Sequence, residues 1–186
     1  MKRAFDILAA LAGLALAWPV LLLVAAAVRL SSPGPAIHWS RRVGRGNREF
    51  RMPKFRSMRT DTPDVATHLL EDPQRWITPI GRFLRRSSLD ELPQLWSVLK
   101  GDMSLVGPRP ALFNQHDLVE LRTMAGVERL RPGVTGWAQV NGRDELPIPE
   151  KVRLDAEYLE RQSFAFDLAI ILATLRQAIR ARGVSH

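Results

Sequence analysis

Residues 85–110, RRSSLDELPQLWSVLKGDMSLVGPRP, set two adjacent carboxylates, Asp90 and Glu91, between Arg85 and Arg86 on one side and Arg109 on the other. Such a group can work on phosphate. A carboxylate approaching a diphosphate is repelled, and guanidiniums or a metal ion reverse that sign. Arg85 and Arg109 are the candidate phosphate clamps, because the guanidinium fork matches phosphate oxygens. The same residues also have a purely structural reading. Ser88-Leu89-Asp90-Glu91 has the Ser-x-x-Glu form of a capping box. Leu92, Leu95, Trp96 and Leu99 then follow at i, i+3, i+4 and i+7, and Gly101 supplies a stop. Pro93 sits inside the helix if Ser88 is the cap, and in its first turn if Asp90 is. On this helix Asp90 shares a row with Gln94 and Ser97 and is expected to face a substrate. Glu91 lies over Leu95 and is expected to be the more desolvated acid, suited to metal positioning or proton handling.

The elements that must hold these acids come from a 186-residue chain, enough for one domain with its own core. Its 27 Lys and Arg against 19 Asp and Glu give a net charge of +8, which suits an anionic partner. There is no cysteine, so disulfides and thiolate metal sites are excluded. The four histidines are scattered without metal-ligand spacing, which argues against zinc or serine–histidine chemistry. No Walker loop, Gly-x-Gly-x-x-Gly or internal repeat is present.

Ile7 to Val28 is a run of 22 residues without a charge, about 33 Å as a helix and enough to cross a bilayer core. A signal peptide, a spanning helix and a hairpin that enters and leaves on one side are all open readings. Pro19 divides the run into halves of roughly 16 Å. Lys2 and Arg3 precede the run, and Arg29, Arg41, Arg42, Arg45, Arg48 and Arg51 follow it. A spanning helix would therefore export one basic cluster, whereas a hairpin keeps both inside.

Residues 30–60 read as a Pro/Gly turn followed by short basic strand-like segments, and 61–75 as loop. Residues 76–86 fit an interfacial helix with a cationic side. Residues 131–143, RPGVTGWAQVNGR, read as a hairpin or loop, and 149–162 as a polar helix. A final helix carries Leu168, Ile171, Leu172, Leu175 and Ile179 on one face, expected to pack in the core or an interface. The fold class is mainly α with short β or irregular segments. Residues 1–30 are expected to form an N-terminal membrane segment, and 31–186 a compact domain.

In order along the chain, KRAFD (2–6), SSPGP (31–35), RVGRGNREFRMPKFRSM (42–58), SSLDELPQLWSVLKGDMSLVGPRP (87–110) and RPGVTGWAQVNGR (131–143) resemble the bacterial sugar transferases. These are small monotopic polyprenyl-phosphate phosphoglycosyl transferases, and the resemblance covers nearly the whole chain. It implies transfer of a sugar 1-phosphate from a UDP-sugar to undecaprenyl phosphate with release of UMP, on the cytoplasmic face of the bacterial inner membrane. It implies that Asp90 is a nucleophile forming an aspartyl phosphosugar, that Asp90 and Glu91 hold Mg²⁺, and that Pro19 is the hinge of a re-entrant helix hairpin in residues 1–30, with 31–186 as the catalytic domain. Lys54, Gln139 and Arg143 join Arg85 and Arg109 as phosphate- or substrate-binding positions. Trp18 stands before the hinge proline where the family often has a small hydroxyl residue. A non-catalytic basic membrane anchor of the same fold is the alternative. Nucleic-acid binding would use the same charge, but no recognised motif supports it, and no nucleic-acid partner is expected.

Overall fold

The computed structural model describes residues 1–63, 65, 70–142 and 146–180, with the side chains of 178–180 excepted. It is mainly helical. In chain order the elements are α1 (Lys2–Ser31), β1 (Ile37–Val43), β2 (Glu49–Phe55), α2 (Pro73–Trp76), α3 (Pro79–Ser87), α4 (Gln94–Lys100), β3 (Ser104–Val106), α5 (His116–Met124), β4 (Gly133–Thr135), α6 (Trp137–Val140), α7 (Ile148–Arg161) and α8 (Phe164–Arg180). Strands β1 and β2 pair antiparallel, with His38 opposite Lys54 and Val43 opposite Glu49. Strands β3 and β4 pair parallel, so residues 131–143 supply a strand and a short helix rather than a hairpin.

The chain stays helical across Pro19, and α1 is long and apolar enough to cross a membrane by length and composition. Its small residues allow close packing on the body. A Cβ on Gly13 would stand 3.0 Å from Leu95 Cδ1, and Ala10 is buried against Met52, Val98 and Met103. Val24 and Val28 pack with Phe55 and Leu84. Leu8, Leu16, Trp18, Leu22 and Leu23 point outward.

Both ends of α1 are tied to the same body. Lys2 Nζ donates to Asp167 Oδ2 (2.6 Å), Val106 O (3.1 Å) and Tyr158 OH (3.3 Å). Arg3 donates to the carbonyls of Val98 and Leu99 at the end of α4. Ser104 Oγ and the Leu105 N–H donate to Asp6, buried in the first turns. Past the other end, the buried Arg56 guanidinium donates to the carbonyls of Ser32, Pro33 and Pro35 at 2.6–2.8 Å. Five nitrogens of Arg3 and Arg56 thus serve carbonyls at the end of α4 and in the turn after α1.

Helix α3 begins at Pro79, with Thr78 as its cap accepting from the Gly81 N–H. Gly81 is required there, because a Cβ would fall 1.9 Å from the Ser57 carbonyl oxygen. Leu84 anchors this helix in the core, and Phe83 faces out. Truncating such an anchor costs about 2–5 kcal/mol.

The face of α8 expected to pack in the core or an interface is divided: Ile171 packs on the cluster of Val106, Tyr158 and Ile170. Leu168, Leu172 and Leu175 are exposed, whereas Asp167 and Ile170 are buried and Thr174 is half-buried. Polar contacts decide the orientation. Asp167 takes Lys2 and Tyr158, Thr174 Oγ1 lies 2.7 Å from Thr135 Oγ1, and Gln177 donates to Val140 O. Ile179 lies outside the described side chains.

Candidate active site

Asp90 and Glu91 lie in a 3-10 turn, Leu89–Glu91, and α4 begins only at Gln94 with Pro93 as its cap residue. Pro93 has no N–H to give to an α-helical bond, which disfavours a helix capped at Ser88, and the helix does not start at Asp90 either. The capping box is also absent. Ser88 sits in the left-handed region (φ 56°) and makes no side-chain cap bond. Glu91 is turned away to cations instead. Gly101 (φ 96°) ends α4 as expected, donating to Ser97 O and Val98 O.

Lys54 Nζ (3.1 Å) and Arg109 Nη2 (2.9 Å) both donate to Glu91 Oε1. The first comes from β2 and the second from the segment after β3, so three distant pieces of chain meet on one oxygen. No hydrogen bond from the described residues reaches Oε2. Burial alone would raise the Glu91 carboxyl, but the charges of Arg109 and Lys54 overcome it and hold the group well below the usual carboxylate range. Burial also pulls the Lys54 ammonium down from its ordinary value, against the attraction of Glu91.

Asp90 has the opposite environment. It is 8% exposed and accepts no side-chain hydrogen bond from the described residues. Burial pushes it up to about 6; Lys54 opposes the rise and the Glu91 charge adds to it, while Arg85 and Arg109 also oppose it. The expected division of environments is therefore corrected. The row of Asp90, Gln94 and Ser97 points inward, and Gln94 and Ser97 are 2% and 1% exposed. Glu91 is desolvated as expected, so both acids are withdrawn from water. Gln94 Nε2 and Ser97 Oγ, four and seven residues after Asp90, are buried without a partner among the described residues.

Arg109 is held by its backbone. Arg122 Nη1 in α5 donates to Arg109 O (2.8 Å), and Arg42 Nη1 in β1 donates to Pro110 O (3.1 Å). Arg122 is itself fixed by Asp155 of α7, with Nη2 at 2.6 Å and Nε at 3.0 Å from Oδ2. None of Arg42, Arg122 or Asp155 stands out in the sequence as a site residue. The one available signal was an acid at 155 between the buried Val152 and Tyr158 of α7.

The two Gly-rich segments meet backbone to backbone. A Cβ on Gly133 would lie 2.1 Å from Gly107 N, and one on Gly136 would lie 2.1 Å from Gly107 O. Gly107 N–H donates to Thr135 O, and Gly133 N–H to Pro108 O. This interlock fixes the chain just before Arg109.

The predicted site residues thus separate. Lys54, Glu91 and Arg109 are in direct contact, Asp90 adjoins them, and Arg85 acts on Asp90 through its charge. Gln139 is placed elsewhere: its Nε2 donates to Val134 O, and its Oε1 is buried without a partner near Gly136. Arg143 lies outside the described residues. Pro19 lies far along α1, inside the helix.

The model of the bacterial sugar transferase family matches residues 1–181. The sugar transferase EpsL of Bacillus subtilis is 41% identical over 188 residues, spanning all of this chain and 91% of that protein. The UDP-glucose:undecaprenyl-phosphate glucose-1-phosphate transferase of Xanthomonas campestris pv. campestris is 44% identical over 174 residues, 89% of this chain but 35% of that protein. The transferase of the same name from Caulobacter vibrioides is 43% identical over 184 residues, 94% of this chain and 68% of its own length. The chain therefore corresponds to nearly the whole of some relatives and to about a third of others. A family match running from the first residue to 181, through the dyad and both interlocking glycine segments, leaves one conclusion: the chain belongs to the bacterial sugar transferase family.

Proposed function

We propose that this protein transfers a sugar 1-phosphate from a UDP-sugar to undecaprenyl phosphate by way of a covalent intermediate on Asp90. The observation that carries this reading is the contrast within the dyad. Glu91 is locked by two cations, whereas Asp90 is buried, unpartnered and beside Lys54, Arg85 and Arg109. In the first half-reaction an Asp90 carboxylate oxygen bonds to the phosphorus bearing the sugar. The bond from that phosphorus to the bridging oxygen breaks, and UMP leaves with the electron pair. In the second, an oxygen of undecaprenyl phosphate attacks the same phosphorus and Asp90 departs as a carboxylate. The relatives named for this chemistry act on UDP-glucose and undecaprenyl phosphate, which supports the substrate class.

Desolvation strips water from the Asp90 carboxylate and so favours its attack, provided that it is ionised. Arg109 and Lys54 can exchange part of their hold on Glu91 for phosphate oxygens, so that positive charge already stands where negative charge collects in the transition state. Arg122 and Arg42 keep Arg109 in place through its backbone and that of Pro110.

The dyad also fits a divalent cation. Mg²⁺ takes one or two carboxylates and completes its shell with water and substrate phosphates. Asp90 and the open Oε2 of Glu91 would hold it, and bound there it would offset the charge of the diphosphate. Among the described residues no group of three or more acidic or histidine side chains forms a closed metal cage.

The membrane reading is a re-entrant α1 hinged at Pro19, with the catalytic body on the cytoplasmic face. It is supported by the tethering of both ends of α1 to one body, through Lys2 and Arg3 at the start and Arg56 past the end. A single cysteine replacing the exposed Ala4 should stay unlabelled by an impermeant thiol reagent in intact cells. Labelling from outside would mean that α1 crosses. The function itself is tested by incubating the protein with a panel of UDP-sugars, undecaprenyl phosphate and Mg²⁺ and measuring UMP. Release with one sugar nucleotide, abolished by Asp90→Asn, is expected. No UMP from any of them would favour a non-catalytic anchor.

A further inference from the structure

A second cationic cleft lies at the opposite end of the elements that carry the dyad. The β1–β2 turn and the end of α4 enclose about 550 Å³, lined among others by Arg45, Arg48, Glu49, Asp102 and Arg131. Glu49 stands five residues before Lys54 in β2, about 17 Å at the strand rise. The end of α4 at Gly101 is ten residues beyond Glu91, about 15 Å at the helical rise. The cleft is therefore separate from the dyad.

Its charge is unbalanced. The two lining acids are already committed, Glu49 to Arg41 (2.9 Å) and Asp102 to Lys100 (2.9 Å), and neither cation lines the cleft. Arg45, Arg48 and Arg131 form no ion pair among the described residues. Arg131 is set by its Nε, which donates to Gly101 O at 3.1 Å, so its terminal nitrogens remain for another acceptor. Gly46 (φ +63°) and Asn47 (φ 57°) make the turn that brings Arg45 and Arg48 to one rim. An added Cβ on Gly46 would meet nothing within 4 Å, so that rim is open.

We propose that this cleft is a second anion site that takes a phosphate ester. Three guanidiniums on two walls suit an acceptor with oxygens in several directions, and a tetrahedral phosphate offers them where a planar carboxylate does not. The source is an anionic phospholipid headgroup or a soluble phosphate. Arg3, whose Nη2 lies 3.3 Å from the position of a Cβ on Gly101, puts the cleft next to the start of α1. The lipid source rests on membrane insertion of α1, whereas the site itself rests neither on that nor on the transferase reading.

The test uses the full chain in neutral detergent carrying Lys54→Gln, which weakens anion binding at the dyad. Native mass spectrometry counts retained phosphatidylglycerol against phosphatidylcholine, and calorimetry titrates inorganic phosphate. Each is repeated with Arg45→Gln/Arg48→Gln and with the charge-matched, exposed pair Arg129→Gln/Arg153→Gln. Removing the two cleft arginines should weaken binding about 25-fold, given roughly fivefold per basic residue at a lipid surface, and the matched pair should not. Loss confined to phosphatidylglycerol identifies the headgroup as ligand, and loss of phosphate binding identifies a soluble anion. Equal loss in both pairs, or no binding of either anion, would overturn the proposal.

Discussion

Lys2, Asp167 and Tyr158 at the foot of α1 and Lys54, Glu91 and Arg109 at the turn before α4 both bury charge, but they finish the task differently. In the first group the bonds close. Lys2 Nζ has three acceptors, Asp167 takes Lys2 on one oxygen and Tyr158 on the other, and Tyr158 is held neutral by burial and by its bond to Asp167. In the second group two cations crowd one carboxylate oxygen, while Asp90, Gln94 Nε2 and Ser97 Oγ lack partners among the described residues. A closed network stabilises and specifies a dock. An open one keeps unspent interactions for a ligand, at a cost to stability. Removing a member of the first group should therefore destabilise, and removing a member of the second should impair activity.

The largest expected effect comes from Asp90→Asn, which keeps shape and removes the charge. Turnover should fall by about three orders of magnitude or more, since the attacking oxygen is lost. Stability should move the other way. The folded-state pKa of about 6 lies above the ordinary 3.8, so the folded protein binds the proton more tightly than the unfolded chain. Ionised Asp90 thus opposes folding. The penalty is absent below about pH 4, grows between the two values and is complete above about pH 6, where it reaches at most ~3 kcal/mol. Thermal melts at pH 7.5 should show Asp90→Asn as the more stable protein, with the gap closing toward pH 4. In wild type, kcat/KM should climb through about pH 6 and level off above it. A variant that is both inactive and less stable at pH 7.5 would place Asp90 in the closed class.

Lys2→Met should give the reverse pattern. It leaves the buried Asp167 with only Tyr158, and Lys2 is itself 31% exposed, so the cost is discounted to about 2–3 kcal/mol. For a chain of this size that is a fall in Tm of about 5–10 °C. The rate per folded molecule at low temperature should stay within about twofold, and a tenfold loss of kcat without a shift in Tm would break the distinction. The smallest effect expected is that of Arg109→Lys. It keeps the charge and the contact with Glu91 but loses the fork, so kcat/KM should drop about tenfold with Tm unchanged. An unchanged kcat/KM would make Arg109 a tether of Glu91 alone.

The two groups also differed in how far the sequence disclosed them. The dyad stood out because adjacent acids in a basic chain need a reason, and α4 followed from its apolar period and Gly101. Of the partners of Glu91, Arg109 was a candidate clamp from its position, but Lys54 came only through the family resemblance, since it is 37 residues away and the β1–β2 register aims it. Local rules also left Asp90 open to a substrate, whereas it is buried, and placed a capping box and an α-helix where the chain makes a 3-10 turn. Arg122 and Asp155 position Arg109 from two further helices, a contact no spacing rule contains. On α8 the apolar period held for Ile171, which packs on the core, but not for Leu168, Leu172 and Leu175. The polar edge of that helix is needed by Lys2, Thr135 and Val140, and its leucines are left outside.

The most direct measurement omits the lipid acceptor. Wild-type protein is incubated with the UDP-sugar that supports UMP release and Mg²⁺, quenched, digested and read by peptide mass spectrometry. We expect a phosphosugar adduct on the Asp90 side chain, with one UMP released per adduct, and none in Asp90→Asn. An adduct on Glu91 or elsewhere, or UMP release that begins only when undecaprenyl phosphate is added, would contradict the assignment of Asp90 as the nucleophile.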